Sequence, residues 1–349
     1  MLKNSNRWIL MVAIVAMLGL LLVACAPPAP TAEPMMEETE EPMMEETEEP
    51  MMEETEEPMM EPTEEMTEEP MAEPSVGTED NPFIMAFVPS GDADAVLASG
   101  SAITDRISEI TGLVVESSVP TSYVGAIEAM CAGEAHASAL NTFSYIVASE
   151  RGCADVALVS VRFGSTTYAG QLITRVDSGI TSIDDLKGKT FCRPDPFSTS
   201  GWIIPSIAMK AAGVDPDTDL AEVVDAGGHD GVVRAVYNGD CDAGSTFVDA
   251  RTGVEDEFPD VMDQVVVIEE STPIPNDTVS FSPDVPDDVR TAIVDAMLQM
   301  AADETDSQLF ASSDFYEWAG LEPIQDSFYD AFRQQLDAAG VDVESFISE

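Results

Sequence analysis

Short apolar segments alternate with amphipathic segments along the second part of the chain. Apolar runs of strand length lie at residues 83–88, 113–115, 135–140 and 156–163. Between the first two runs, Ile103, Ile107 and Ile110 keep helical spacing, and Gly112 stands where a helix-ending glycine is expected. Residues 124–130 and 143–150 also predict helices. Strands that alternate with helices predict an α/β fold with a mostly parallel sheet.

The alternation starts again after residue 170 and predicts a second α/β unit. Strands are predicted at residues 171–175, 189–192, 222–225, 242–247 and 264–268. Ser182 and Asp185 form a capping box that opens a short helix. Pro205 lies inside an apolar run over 203–212, so the helix there is expected to begin late enough to keep this proline in its first turn. The segments 289–300 and 328–336 predict a helical C-terminal part.

The N-terminus has the pattern of a bacterial secretory signal. Lys3 and Arg7 precede an apolar run over residues 8–24, which is short for a membrane span. The run ends in Leu-Val-Ala followed by Cys25, which resembles a lipoprotein signal. The resemblance implies a signal peptide over 1–24 and a lipidated Cys25. An uncleaved anchor helix would hold the following residues on the same side of the membrane, so both readings predict an extracytoplasmic protein.

Residues 25–80 predict a disordered acidic tether. The unit Met-Met-Glu-Glu-Thr-Glu-Glu-Pro occurs three times over residues 35–58, and the segment 26–80 contains no aromatic, lysine or arginine residue. Such a composition buries too little apolar surface to fold. The methionine pairs could bind a soft metal ion, but nothing orders their sulfur atoms, and a spacer is the favoured interpretation.

The charge of the chain limits the partners that it can bind. The sequence has 67 acidic and 14 basic residues, and the part after residue 80 keeps 46 acidic against 12 basic residues, a net charge of −34. This balance argues against nucleic acid or an anionic membrane surface as a partner. It also opposes the long-range attraction of an anionic ligand, so such a ligand would depend on local donors.

Four cysteines remain after Cys25, and they allow three pairings. An extracytoplasmic location favours disulfides. We expect Cys131–Cys153 and Cys192–Cys241, because each of these pairs closes a single strand-helix unit. Buried free thiols are the alternative, and no spacing of the cysteines indicates a redox or zinc site.

One polar stretch combines several features of an anion-binding site. Asp195, Pro196 and Phe197 precede Ser198, Thr199, Ser200 and Gly201, between a predicted strand and a predicted helix. A helix start offers free backbone N–H groups and the positive end of the helix dipole, and the hydroxyl groups add short donors. An ordinary helix N-cap explains the same residues.

The order of motifs along residues 82–300 resembles the PhnD-like family of substrate-binding lipoproteins of ABC transporters for phosphonates and related phosphorus oxyanions. The motifs are residues 87–90, 122–123, 141–145, 177–180, 186–191, 195–201, 229–230 and 273–277. The resemblance implies a two-lobed type II periplasmic-binding-protein fold. Lobe 1 is expected over 81–168 and again over 271–349, and lobe 2 over 169–270. Two hinge crossings are expected near residues 164–171 and 270–279.

The resemblance also implies the ligand contacts. Oxygen atoms on phosphorus would be held by Ser198, Thr199 and Ser200, with further contacts from Ser90, Tyr123, Tyr145, Tyr168, His229 and Asp249. For Tyr145 a core position is the alternative. For His229 and Asp249 the alternative is a helix cap. His136 is expected to be an ordinary half-buried histidine. Arg193 either adds charge to the site or pairs with a surface carboxylate.

The function implied by the resemblance is capture of phosphonate, phosphate, phosphite or a related ester and delivery to an ABC permease. No enzymatic activity, metal or cofactor is expected, because the two histidines and the polar residues form no catalytic spacing. The protein is expected to be a monomer. Two alternatives keep the same fold: a sensor for a membrane kinase, and a binding protein for a carboxylate or a cation.

Overall fold

The computed structural model describes residues 75–346. The predicted signal peptide, the predicted lipidation site Cys25 and the tether up to residue 74 lie outside the described residues. Within residues 75–346, no helix has both the length and the apolar character needed to cross a membrane.

Lobe 1 is built on a six-stranded sheet in the order β13-β4-β12-β3-β1-β2. Its strands are β1 (Phe83–Phe87), β2 (Val115–Ser118), β3 (Ala137–Leu140), β4 (Asp155–Val161), β12 (Thr278–Phe281) and β13 (Gly320–Pro323). Its helices are α1 (Ala93–Thr111), α2 (Tyr123–Cys131), α3 (Thr142–Glu150), α7 (Asp287–Ala302), α8 (Ser307–Ala311) and α9 (Asp330–Ala338). Asp92, Ser122 and Asn141 cap α1, α2 and α3 with their side chains.

Lobe 2 is built on a five-stranded sheet in the order β10-β6-β9-β7-β8. Its strands are β6 (Gly170–Arg175), β7 (Thr190–Arg193), β8 (Glu222–Asp225), β9 (Ala243–Phe247) and β10 (Val265–Glu270). Its helices are α4 (Ile204–Ala211), α5 (His229–Asn238) and α6 (Val261–Gln264). A π-helical turn, Thr199–Ile203, leads into α4, and Pro205 lies in the first turn of α4 as predicted.

The chain crosses between the lobes twice, through β5 (Thr167–Tyr168) and β11 (Ile274–Pro275). These two short strands pair with each other antiparallel, so the crossings form a two-stranded hinge. The α/β two-lobed fold is therefore confirmed.

As expected, most strands of each sheet point in the same direction, but both sheets also contain reversed strands. Strand β12 runs antiparallel to β3 and β4, and β6 runs antiparallel to β9 and β10. The reason is the direction of the crossings. Strand β12 begins with Thr278 opposite Leu140, the last residue of β3, and β6 begins with Gly170 opposite Phe247, the last residue of β9. A strand that enters a lobe from the hinge starts at the edge where the other strands end.

The core explains why the sequence pattern identified most strands. In lobe 2, the neighbours Leu172 and Ile173 pack on opposite faces of the sheet, and so do Phe191 and Cys192. Both faces of the sheet are covered by helices, so its strands appear as continuous apolar runs.

Both predicted disulfides are present. Cys131–Cys153 joins the end of α2 to the turn after α3, with 4.8 Å between the Cα atoms. Cys192–Cys241 joins β7 to the turn before β9, with 5.9 Å between the Cα atoms. Each bridge stays inside one lobe and leaves the movement between the lobes free.

Candidate functional site

Ser198, Thr199 and Ser200, which we call the seat, lie in a cavity of about 160 Å³ between the two lobes. All three residues are at most 2% exposed. The Ser198 hydroxyl accepts a hydrogen bond of 3.1 Å from the Gly201 backbone N–H and so caps the π-helical turn. A Cβ atom at Gly201 would lie 2.3 Å from Pro194 Cδ, so this sharp turn requires glycine.

Helix starts from both lobes surround the cavity. The residues that line it at these starts are Asp92 of α1, Tyr123 of α2, Asn141 of α3, Ser198 of the π-helical turn and His229 of α5. The carboxyl ends of the strands lie at the same edge, since each of these helices follows a strand. Partial positive charges at helix starts favour an anion in the space between them.

His229 is a neutral hydrogen-bond donor in this cavity. The backbone N–H of Phe247 donates to His229 Nδ1 at 3.3 Å, so the ring proton is assigned to Nε2. Nε2 lies 3.4 Å from Ser198 Oγ. Burial, with a smaller contribution from the charge of Arg162, lowers the pKa of His229 to about 3. The imidazole therefore offers an N–H group and no charge at neutral pH.

Two of the predicted tyrosines face the seat. Burial raises the pKa of Tyr123 well above its ordinary value, and an interaction with the Ser198 hydroxyl opposes this shift. Burial also raises the pKa of Tyr168, which interacts with Ser200 and Thr199. Both phenols thus keep their protons and can donate them in hydrogen bonds.

The structure does not bring Tyr145 to the cavity, so the expected ligand contact is corrected and the alternative, a core position, holds. Its hydroxyl donates to Asp326 at 2.6 Å, and its ring packs on Tyr329 with 4.9 Å between centroids. Burial, and then the bond to Asp326, raises the pKa of Tyr145 to about 12. Of the residues at the start of α3, the N-cap Asn141 lines the cavity, whereas Tyr145, four residues later, does not.

Asp249 is also placed outside the cavity lining, although Ala250 and Thr252 line it. Asp249 occupies the N-cap position of a short 3₁₀ helix, in the left-handed backbone region with φ of 71°. Its side chain makes no capping bond, but its backbone carbonyl accepts from the Thr252 hydroxyl at 2.7 Å. The expected ligand contact of Asp249 is corrected accordingly.

Three further predictions concern residues around the seat. Ser90 lines the cavity, and its carbonyl accepts a bond of 2.8 Å from the His229 backbone N–H. Arg193 pairs with Asp225 and packs over Trp202, so it follows the surface alternative. His136 is half-buried, and its Nδ1 accepts from the Ile84 backbone N–H at 2.9 Å, as expected for a structural histidine.

Sequence reasoning missed two charged residues on the hinge side of the cavity, Arg162 and Asp277. Together with Tyr168 they form what we call the hinge wall. Arg162 is 6% exposed, and its Nη2 donates to Glu317 at 2.7 Å. Asp277 is half-buried. Burial raises its pKa to about 6, although Arg162 and the Trp318 indole N–H oppose the rise. Their positions in the sequence could have indicated both residues, because each lies in or next to a predicted hinge crossing.

The seat also holds the lobes together. Thr199 Oγ1 accepts from Asn141 Nδ2 and from the Phe143 backbone N–H, both at 2.9 Å. The backbone N–H of Tyr123 donates to Asp195 Oδ2 at 3.2 Å. These bonds run from lobe 1 to lobe 2, so the structure has the lobes in contact around the cavity. Thr199 keeps only its own hydroxyl proton for a ligand or for Tyr168.

The cavity offers hydrogen-bond donors, and the structure offers little for metal binding. In residues 75–346, no group of three or more His, Cys, Asp and Glu side chains is arranged to hold a metal ion. The volume is below the roughly 300 Å³ at which pockets for drug-sized ligands begin. The arrangement suits a small anion of a few heavy atoms.

The chain is similar to known proteins in sequence. A family model described as "ABC transporter, phosphonate, periplasmic substrate-binding protein" matches residues 85–329. The phosphate-import protein PhnD of Mycolicibacterium smegmatis is 27% identical over 281 residues, which cover 73% of this chain and 85% of that protein.

Solved structures share the fold. A binding protein component of an ABC phosphonate transporter from Pseudomonas aeruginosa superposes with a TM-score of 0.69 at 21% identity, over 76% of this chain and 87% of that one. PhnD1 from Prochlorococcus marinus, solved in complex with methylphosphonate, superposes with a TM-score of 0.66 at 13% identity, over 74% of this chain and 98% of that one.

Proposed function

Because this chain belongs to the family of periplasmic substrate-binding proteins of phosphonate ABC transporters, we propose that it captures a small phosphorus oxyanion between its lobes and delivers it to a permease. The ligand is phosphonate, phosphate, phosphite or a close relative. The observation that carries this proposal is the buried seat, in which three hydroxyl residues meet several helix starts in one small cavity.

Capture proceeds by hydrogen bonding to the oxygens on phosphorus. The hydroxyls of Ser198 and Ser200, the Nε2–H of His229 and the phenols of Tyr123 and Tyr168 are the donors. Donors to an ionised oxygen form bonds about twice as strong as neutral ones. Because the donors come from both lobes, the ligand strengthens contact between the lobes, and closure excludes water from the bonds.

The protein acts outside the cytoplasm. Members of this family are periplasmic binding proteins of transporters, and the proposed role here is binding and delivery without chemical change of the ligand. We further propose that Cys25 carries the lipid anchor and that the acidic segment after it is a spacer. The protein would work as a monomer, because one chain supplies every donor named above.

Calorimetric titration of the chain from residue 26 onward tests the function. Phosphate, phosphite, methylphosphonate and methyl phosphate are titrated at pH 8, with acetate and magnesium chloride as the carboxylate and cation alternatives. Binding of one or more phosphorus oxyanions, without binding of acetate or magnesium, is expected. If none of the four produces heat, the proposed ligand class is wrong.

A further inference from the structure

Arg162 is a buried cation in the cavity with an unused donor. It follows β4 directly, at the point where the chain leaves lobe 1 for the hinge. Its side chain is 6% exposed, and its buried Nε–H has no hydrogen-bond partner among the described residues. A buried N–H group without a partner is uncommon and needs an explanation.

The guanidinium group is held in place from two sides. Its Nη2 donates to Glu317 in lobe 1, and its carbon lies 4.4 Å from the ring centroid of Phe247 in lobe 2. Phe247 also packs on His229, with 4.7 Å between the centroids. The plane of the guanidinium is therefore held by contacts with both lobes, and Phe247 links it to His229.

The other arginine in the cavity lining is differently placed. Arg234 is 39% exposed and bonds to both Asp230 and Glu257, and these carboxylates occupy its Nη1 and Nε donors. Arg162 has one carboxylate partner, Glu317, which is itself 28% exposed. Of the two, Arg162 is the buried cation, and its Nε–H is a buried donor without a partner among the described residues.

A cation in the cavity would balance the negative charge of a phosphoryl group bound at the seat. The hydroxyls of the seat, the nearby phenols and the neutral His229 carry no formal charge, and Asp277 adds a carboxyl group to the same cavity. A terminal phosphoryl group carries about two negative charges at pH 8. Neutral donors suffice for a singly charged ester, whereas a doubly charged group beside Asp277 requires a compensating charge.

We propose that Arg162 is a ligand-binding residue whose guanidinium contacts the phosphoryl oxygens that the seat leaves free, with Glu317 as its counter-ion within the chain. This inference rests on the proposed function and narrows it. The preferred ligand has an unesterified terminal phosphoryl group, as in phosphate or an alkylphosphonate. A singly charged diester or a monoester of a phosphonate is disfavoured.

The first test compares Arg162→Gln with Arg234→Gln, which removes a charge from the same cavity. At pH 8 we expect Arg162→Gln to weaken methylphosphonate binding by about 30-fold or more, the loss typical of a buried charged contact. Arg234→Gln is expected to change it by less than about threefold. Binding of the singly charged methyl ester of methylphosphonate should fall far less in Arg162→Gln than binding of methylphosphonate does.

The second test depends on the sign of an effect, and its single variant Glu317→Gln remains informative if Arg162→Gln folds poorly. Glu317→Gln frees the guanidinium from its counter-ion, so it should tighten methylphosphonate binding by about threefold. In the double variant Arg162→Gln/Glu317→Gln this gain should disappear, because the guanidinium that mediates it is gone. A merely structural ion pair would leave binding weaker or unchanged in Glu317→Gln.

The outcomes separate the inference from the function. Wild-type binding together with equal binding by Arg162→Gln overturns the role of Arg162 and leaves the proposed function standing. Equal losses for methylphosphonate and its methyl ester overturn the preference for two charges. If the wild type binds none of the phosphorus oxyanions, both the function and the inference are overturned.

Discussion

The seat and the hinge wall face each other across one cavity, but they are built in different ways. The seat consists of Ser198, Thr199 and Ser200, neighbours on one sharp turn, and it offers uncharged donors. The hinge wall of Arg162, Tyr168 and Asp277 is assembled from two crossings that are far apart in the chain, and it carries the charge. Local sequence therefore provides the uncharged donors of the cavity, whereas the tertiary fold brings its charged groups together.

The largest expected effect comes from changing the backbone of the seat. In Gly201→Ala the new methyl group would lie 2.3 Å from Pro194 Cδ and 2.7 Å from Ser198 Oγ, so the turn has to open. We expect a loss of about 3 kcal/mol in the free energy of unfolding, measured by urea denaturation, and no measurable ligand binding.

Gly253→Ala is the matched control for this change. Gly253 also lines the cavity, but nothing lies within 4 Å of a Cβ atom placed there. Its stability and binding should stay close to wild type. Normal binding by Gly201→Ala would show that the shape of the turn does not create the seat.

The second effect concerns the charge of the hinge wall. Asp277 has a pKa of about 6 in the folded chain, above its ordinary value of 3.8. Between these two values the folded state binds more protons than the unfolded state, so the free energy of unfolding falls as pH rises through this window. The loss continues through pH 6 and is complete about one pH unit higher.

Asp277→Asn removes this dependence. Without ligand, the variant should be more stable than wild type by about 2 to 3 kcal/mol at pH 7.5 and by much less at pH 4. Urea denaturation at both pH values measures the difference between variant and wild type. An equal difference at the two pH values would place the source of any stabilisation elsewhere than in this carboxyl group.

The third effect concerns the hydrogen bonds that connect the seat to lobe 1. Thr199→Val keeps the shape of the side chain but removes the acceptor shared by Asn141 Nδ2 and the Phe143 N–H. The Phe143 N–H then loses its acceptor when the lobes close, and Asn141 Nδ2 keeps only its bond to the Phe197 carbonyl. Ligand binding should weaken by about 2 kcal/mol in calorimetry. Thr199→Ser keeps the hydroxyl and should bind the ligand nearly as wild type does. An equal loss of affinity in the two variants would show that the hydrogen bonds accepted by Thr199 do not contribute to ligand binding.

The alternation of apolar segments was enough to predict the two α/β lobes, because strands covered on both faces leave continuous apolar runs. The disulfides also followed from local units, since each bridge stays within one lobe. Strands β12 and β13 were not predicted, and the direction of β12 depends on a crossing that returns from the other lobe. Strand direction of this kind is a property of topology and leaves no local pattern.

The site residues also differ in whether a local sequence pattern predicts them. The seat could be predicted because the hydroxyl residues typical of a helix start are adjacent in the sequence. Asp277 lay within a motif that was recognised, but Asp249 was chosen as the acidic residue, and only the fold shows which of the two reaches the cavity. Arg162 was overlooked because a single arginine after a strand has no pattern. Its burial and its contact with Phe247 require both lobes.

The smallest expected effect concerns Tyr145, whose substitution distinguishes a role in ligand binding from a role in core packing. Tyr145→Phe removes the hydroxyl that donates to Asp326 at 2.6 Å and leaves the ring in contact with Tyr329. Because Arg333 also bonds to Asp326, the carboxylate keeps a partner, and the free energy of unfolding should fall by only about 1 kcal/mol. Ligand affinity should stay within about twofold of wild type, whereas Tyr123→Phe, which changes a phenol beside Ser198, should weaken it by about 1 kcal/mol or more. If the two substitutions weaken binding equally, Tyr145 acts on the ligand through the start of α3. The binding site would then include the first turn of α3 as well as the residues that line the cavity.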